Sequence, residues 1–81
     1  MPAPLPNDVR ALATAVRELR ARKALKQEEV GAAAGLSRNY MTSLESGRMN
    51  PSFTALVHVS RALDVPLSEL VSMYEERLSD A

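Results

Sequence analysis

Apolar residues in this 81-residue chain recur at spacings of three and four, and no β-branched run alternates with period two. That pattern predicts an all-α fold. Val9, Leu12, Val16 and Leu19 mark one face of a first helix, with Asn7 or Asp8 as N-cap and an end near Lys23. Leu25 falls in the connection. A second helix is expected from about Gln27 to Ala34, closed by Gly35 in the left-handed conformation that ends a helix. Ser37 caps a third, which runs to about Ser46, with Gly47 as the next stop. After the loop Arg48-Met49-Asn50-Pro51, Ser52 caps a fourth helix whose expected buried face is Phe53, Leu56, Val57 and Leu63. Asp64-Val65-Pro66 reads as a turn, with Pro66 placed to open a fifth helix over about 67–78.

This spacing organises the chain as one domain, residues 8–78. An alternating-proline arm, residues 1–7, precedes it and is expected to be non-helical. Residues 79–81 are expected to fray. A chain this short buries only a small core. It has no cysteine, which removes disulfides and thiolate metal sites and suits a reducing cytoplasm. No apolar run approaches the ~20 residues of a membrane span, and MPAPLPND lacks the features of a signal peptide.

Net charge is zero, but its distribution is uneven. Residues 9–48 carry about +4, and residues 49–81 carry −3. A domain polarised in this way can turn one face toward phosphate and the other away.

The segment Gln27 to Glu45, QEEVGAAAGLSRNYMTSLE, is the most informative. Val30, Gly31, Ala34, Leu36, Met41 and Leu44 point inward at a spacing that lets two short helices cross steeply over one small shared face. The glutamine opening the second helix, the Gly35-Leu36-Ser37 turn, the Glu45-x-Gly47 ending, the Asn50-Pro51-Ser52 loop and the later ALDVPLSEL occur in order. In these elements, over about residues 9–72, the chain resembles the helix-turn-helix family of the lambda repressor and Cro, also called the XRE family. Tyr40 and the RxY opening of the third helix are similar to controller proteins of restriction–modification systems. The resemblance implies a compact five-helix, lambda-repressor-like DNA-binding domain with helices two and three as the helix-turn-helix. It also implies a cytoplasmic, nucleoid-associated setting of the prokaryotic or phage type.

The resemblance puts the third helix, about 37–46, in the major groove. With Met41 and Leu44 inward, Arg38, Asn39, Thr42 and Ser43 fall on the base-reading side. Arg38 has the fork to pair with guanine, and Asn39 the amide to pair with adenine. Gln27 at the start of helix two, Arg48, Asn50 and Ser52 are the expected phosphate contacts. Tyr40 either reaches the DNA, at backbone or a base methyl, or packs beside the turn. The resemblance further implies an ion pair between Arg20 and Glu45 joining helices one and three, which makes Glu45 structural. Two departures stand out. Lys26 replaces the usual Ser or Thr cap, and lysine cannot accept an N–H bond. Gly31 replaces an alanine, at ~1 kcal/mol in helix propensity, and permits a closer approach of helices two and three.

The stripe Leu67, Leu70, Val71, Tyr74 and Leu78 is longer than the domain's own core needs. Leu70, Met73, Tyr74 and Leu78 are therefore the expected surface of a homodimer that binds a palindromic operator with two half-sites. The alternative fold-back onto helix one stays open. The expected function is transcription regulation. An antitoxin-type or other protein-interaction module is the alternative. His58 is the only histidine, and Glu28-Glu29 and Glu75-Glu76 point to different helix sides, so no catalytic set forms and no enzyme is expected. Neither metal spacing nor a phosphate loop suggests a cofactor or a small-molecule ligand.

Overall fold

A computed structural model describes residues 6–80 as five α-helices: α1 (Pro6–Arg22), α2 (Gln27–Ala34), α3 (Arg38–Glu45), α4 (Phe53–Ala62) and α5 (Leu67–Ser79). No strand occurs among the described residues. Local chemistry sets most boundaries. Ser37 and Ser52 each accept a backbone N–H three residues on, from Tyr40 and Ala55, both at 3.1 Å. Four helices end in the same way, with one left-handed residue and a 6→1 backbone bond after it. Gly35 and Gly47 serve α2 and α3 at φ 71° and 70°. Ala24 and Asp64 do so after α1 and α4, at φ 55° and 57°.

The first boundary differs from expectation. Pro6 is the first residue of α1, where its fixed φ suits a helix and its missing N–H is no loss. Asn7 and Asp8 therefore lie within the helix, and Asp8 favours its positive end from the first turn. Of the expected non-helical arm, residues 1–5 lie outside the described residues. At the other end, α5 continues through Ser79, whose hydroxyl donates to the Glu75 carbonyl. Asp80, also among the residues expected to fray, pairs with Arg77 at 2.5 Å. Ala81 is outside the described residues. Pro66 sits one step before α5, as its N-cap.

Leu19, Met41, Leu44, Leu63, Leu70, Val16, Val30 and Val59 fill the core. The inward side of α4 is Ala55, Val59 and Ser60, continued by Leu63. Phe53, expected inside, is 72% exposed, and Leu56 and Val57 are only half-buried. The small side chains of Ala55 and Ser60 let α4 pack closely, and that rotation turns Phe53 out.

Helix α5 packs chiefly along α1. Leu70 and Met73 lie in the core cluster, and the Tyr74 hydroxyl donates to Asp8 Oδ1 at 2.5 Å. Leu78 is half-buried. The surface expected to meet a second chain is thus largely turned onto the first helix. Leu70 and Met73 are closed to any partner, and Val71, 40% exposed, is the large apolar residue that α5 presents outward.

Candidate nucleic-acid interface

Helices α2 and α3 meet because nothing separates them at Gly31. A Cβ built there would lie 2.8 Å from Met41 Cγ, closer than real side chains approach. The Gly35 turn then aims α3 away, with Leu36 N–H bonded to the Gly31 carbonyl at 2.8 Å. The start of α2 is held without a capping side chain at Lys26. Glu29 instead accepts the Lys26 backbone N–H at 2.8 Å, the one half of a capping box that a lysine permits.

Met41, Leu44 and Glu45 anchor α3 inward. Arg38, Asn39 and Thr42 stay exposed and Ser43 half-buried, so the four expected base-reading residues lie off the anchored side. They are not equivalent. Arg38 and Asn39 occupy the first turn, the end that enters a groove in this motif. Thr42 is already engaged by its own fold.

That engagement belongs to a polar chain through three helices. Glu45, only 4% exposed, receives Arg20 Nε at 2.8 Å on one carboxylate oxygen and Arg20 Nη2 at 3.0 Å on the other. The expected ion pair is therefore present, and it is bidentate. Arg20 Nη1 also donates to the Leu25 carbonyl at 3.0 Å, tying the α1–α2 connection to the same group. Gln27 Nε2 donates to Glu45 Oε1 at 3.2 Å. The Thr42 hydroxyl donates to Gln27 Oε1 at 3.1 Å. Polarity runs one way along this chain. A carboxylate only accepts, so Gln27 must turn its amide nitrogen toward it and its carbonyl toward Thr42. One amide hydrogen of Gln27 remains for an outside acceptor.

Tyr40 packs beside the loop, where its hydroxyl oxygen accepts the Ser52 backbone N–H at 3.2 Å. Its own O–H hydrogen is left to donate elsewhere. Arg48, Asn50 and Ser52 are all exposed, in the loop after α3 and at the cap of α4. One neighbour was not legible beforehand. Arg17 on α1 donates Nη1 to the Glu45 carbonyl, at the C-terminal end of α3. A lone arginine on the polar side of a helix gives no spacing signal for such a contact.

A helix-turn-helix domain model matches residues 8–72. An HTH-type transcriptional regulator of Sinorhizobium fredii, y4dJ, is 47% identical over 58 residues, covering 72% of this chain and 75% of its own. Among solved structures, the restriction–modification controller protein C.AhdI of Aeromonas hydrophila superposes with a TM-score of 0.75 at 35% identity, over 78% of this chain and 96% of that one. The clp gene regulator ClgR of Corynebacterium glutamicum gives a TM-score of 0.84 at 29% identity, over 96% of this chain and 81% of that one. With the five-helix order and the Gly35-Leu36-Ser37 turn already in place, the chain belongs to the lambda repressor and Cro-like (XRE) family of helix-turn-helix transcription regulators.

Proposed function

We propose that this regulator binds a palindromic operator as a homodimer, each copy laying α3 in the major groove of one half-site. The observation that carries this reading is the anchored reading helix. Arg38 and Asn39 stand exposed at its first turn, while Met41, Leu44 and the Arg20–Glu45 pair hold its other side. A fixed helix loses little freedom on binding, which favours specificity. Arg38 and Asn39 read base edges, with Ser43 at the margin. Gln27, Tyr40, Arg48, Asn50 and Ser52 grip phosphates on either side. Thr42 serves by holding Gln27.

Two copies are needed because one short helix discriminates weakly, and paired half-sites multiply the discrimination. The surface that favours pairing is Phe53 and Val71. Val71 lines an apolar cavity of about 220 Å³ together with Val9, Leu12, Leu56 and Leu70. Phe53 lies one turn before Leu56 on the same side of α4. A two-fold axis through this face sets each patch against its own copy.

The test is a titration against duplex from the region upstream of the gene, and against duplexes with randomised half-sites, at two salt concentrations. Affinity should fall by roughly 0.9 log units per neutralised phosphate per decade of salt. Binding that ignores both salt and sequence would falsify the reading.

A further inference from the structure

A second basic site lies behind the reading helix. The loop after α3 folds tightly onto α1, so that a Cβ on Gly47 would sit 3.6 Å from Arg10 Cα and 3.8 Å from Ala13 Cβ. Arg10, Ala13, Thr14 and Arg17 form one wall of the resulting cleft, and Ser46 and Gly47 the other; its volume is about 310 Å³. Arg10, Thr14 and Arg17 are spaced by four and three, which puts them on one side of α1. No carboxylate lines the cleft.

The hydrogen bonds set what this cleft can hold. Arg17 is fixed by the Glu45 carbonyl and by Thr14 Oγ1, which accepts from Nη2 at 3.2 Å. Thr14 therefore keeps its own O–H to donate. The Ser46 hydroxyl is used on the Ser43 carbonyl. Arg10 is exposed, and the acids on its far side are engaged by Arg77, with Glu18 at 3.5 Å and Asp80 at 2.5 Å. The cleft thus presents two guanidinium groups and one hydroxyl hydrogen, with no acid in its own lining. A tetrahedral, doubly hydrogen-bonding anion suits such a set.

We infer that Arg10, Thr14 and Arg17 form a phosphate-binding site for the DNA backbone just beyond the C-terminal end of α3. This rests on the groove placement proposed above. Arg17 fixes the site to the last carbonyl of α3, and Arg48 follows Gly47 directly, so the cleft continues the basic edge of the loop. It lengthens the footprint by one phosphate per copy without touching a base.

The experiment compares the wild type with Arg10→Ala, Arg10→Lys and Arg48→Ala on operator duplex over a range of salt. Arg10 is the clean probe, since Arg17 also supports α3. Arg10→Ala should lower the salt slope by about 0.9 per copy and weaken all sequences alike, while Arg10→Lys keeps most of the slope. Neutral methylphosphonate linkages at the flanking phosphates should weaken the wild type and leave Arg10→Ala unaffected. An unchanged slope in Arg10→Ala, with a reduced slope in Arg48→Ala, overturns the site and spares the groove reading. If Arg38→Ala also leaves the base preference intact, the groove reading itself fails.

Discussion

The Thr42 hydroxyl donates to Gln27 Oε1 at 3.1 Å, and this bond sets the direction of the Gln27 amide at the start of α2. The two residues should therefore act as a unit. Thr42→Val is expected to weaken DNA binding about five-fold, the equivalent of one ordinary hydrogen bond of ~1 kcal/mol. The loss should be equal on every sequence. In a Gln27→Ala background the same substitution should cost nothing further, because coupled residues are not additive. Binding isotherms on a set of single-base-pair variants give both answers. A change confined to one base position would return Thr42 to direct reading.

The pair Arg20–Glu45 predicts an asymmetry in stability. Glu45 is 4% exposed and Arg20 is 24% exposed. Arg20→Ala strands a buried carboxylate and should cost about 3–5 kcal/mol, the range for a broken buried pair. Glu45→Ala leaves an arginine with partial access to water and should cost less. Replacing both by Met and Leu should recover most of the loss. Urea unfolding of the three variants gives the order. Equal costs for the two single variants would mean that burial does not govern this pair.

The parts legible in the sequence were those with local causes. Gly35 and Gly47 announce left-handed helix ends, and Ser37 and Ser52 announce caps, because each acts within four residues of itself. The bounds of α2 follow from the same signals. Ala24 and Asp64 adopt the same left-handed geometry with side chains that do not advertise it. The face of α4 was misread because apolar residues surround this ten-residue helix, leaving periodicity little to choose between. Tyr74 finds Asp8 from 66 residues away, which no spacing within α5 can show. At the candidate site, the family pattern pointed to Arg20, Gln27 and Glu45. The bond from Gln27 to Thr42 and the contact from Arg17 depended on tertiary placement.

The bond from Tyr74 to Asp8 has an alkaline signature. Donating to Asp8 raises the Tyr74 phenol above its ordinary value of 10, with burial and then the charges of Asp8 and Glu75 adding to the effect. The folded state thus holds the proton more tightly than the unfolded chain. Its contribution to stability is complete below pH 10 and is lost as pH rises through the folded value. Tyr74→Phe should flatten the fall in stability above pH 10 and reduce stability at neutral pH by roughly 1 kcal/mol. Denaturation midpoints between pH 7 and 11 measure it. An equal alkaline slope in both proteins would assign the loss to other groups.

The pairing proposed through α4 and α5 can be separated from folding, since Phe53 and Val71 are both exposed. The double variant Phe53→Asp/Val71→Asp should keep its helix content and melting behaviour. Sedimentation should then report 8.8 kDa instead of twice that mass, and operator affinity should drop at least ten-fold as one half-site is lost. Leu78→Asp should have the smaller effect on mass. A wild type that sediments as a monomer at tens of micromolar refutes pairing by this face.

Tyr40 receives the N–H of Ser52, and Ser52 is bonded directly to Phe53. The Tyr40 hydroxyl on α3 thus meets the chain one residue before Phe53, the side chain proposed to pair. If copies pair at Phe53, a shift of α3 on a preferred sequence would reach the contact between copies through this bond, and a well-seated pair would bias α3 in return. Thermodynamic linkage makes the two effects equal in size. Under the proposed pairing, operator choice and assembly would form a single cooperative equilibrium, with the phenol of Tyr40 as a contact that joins them.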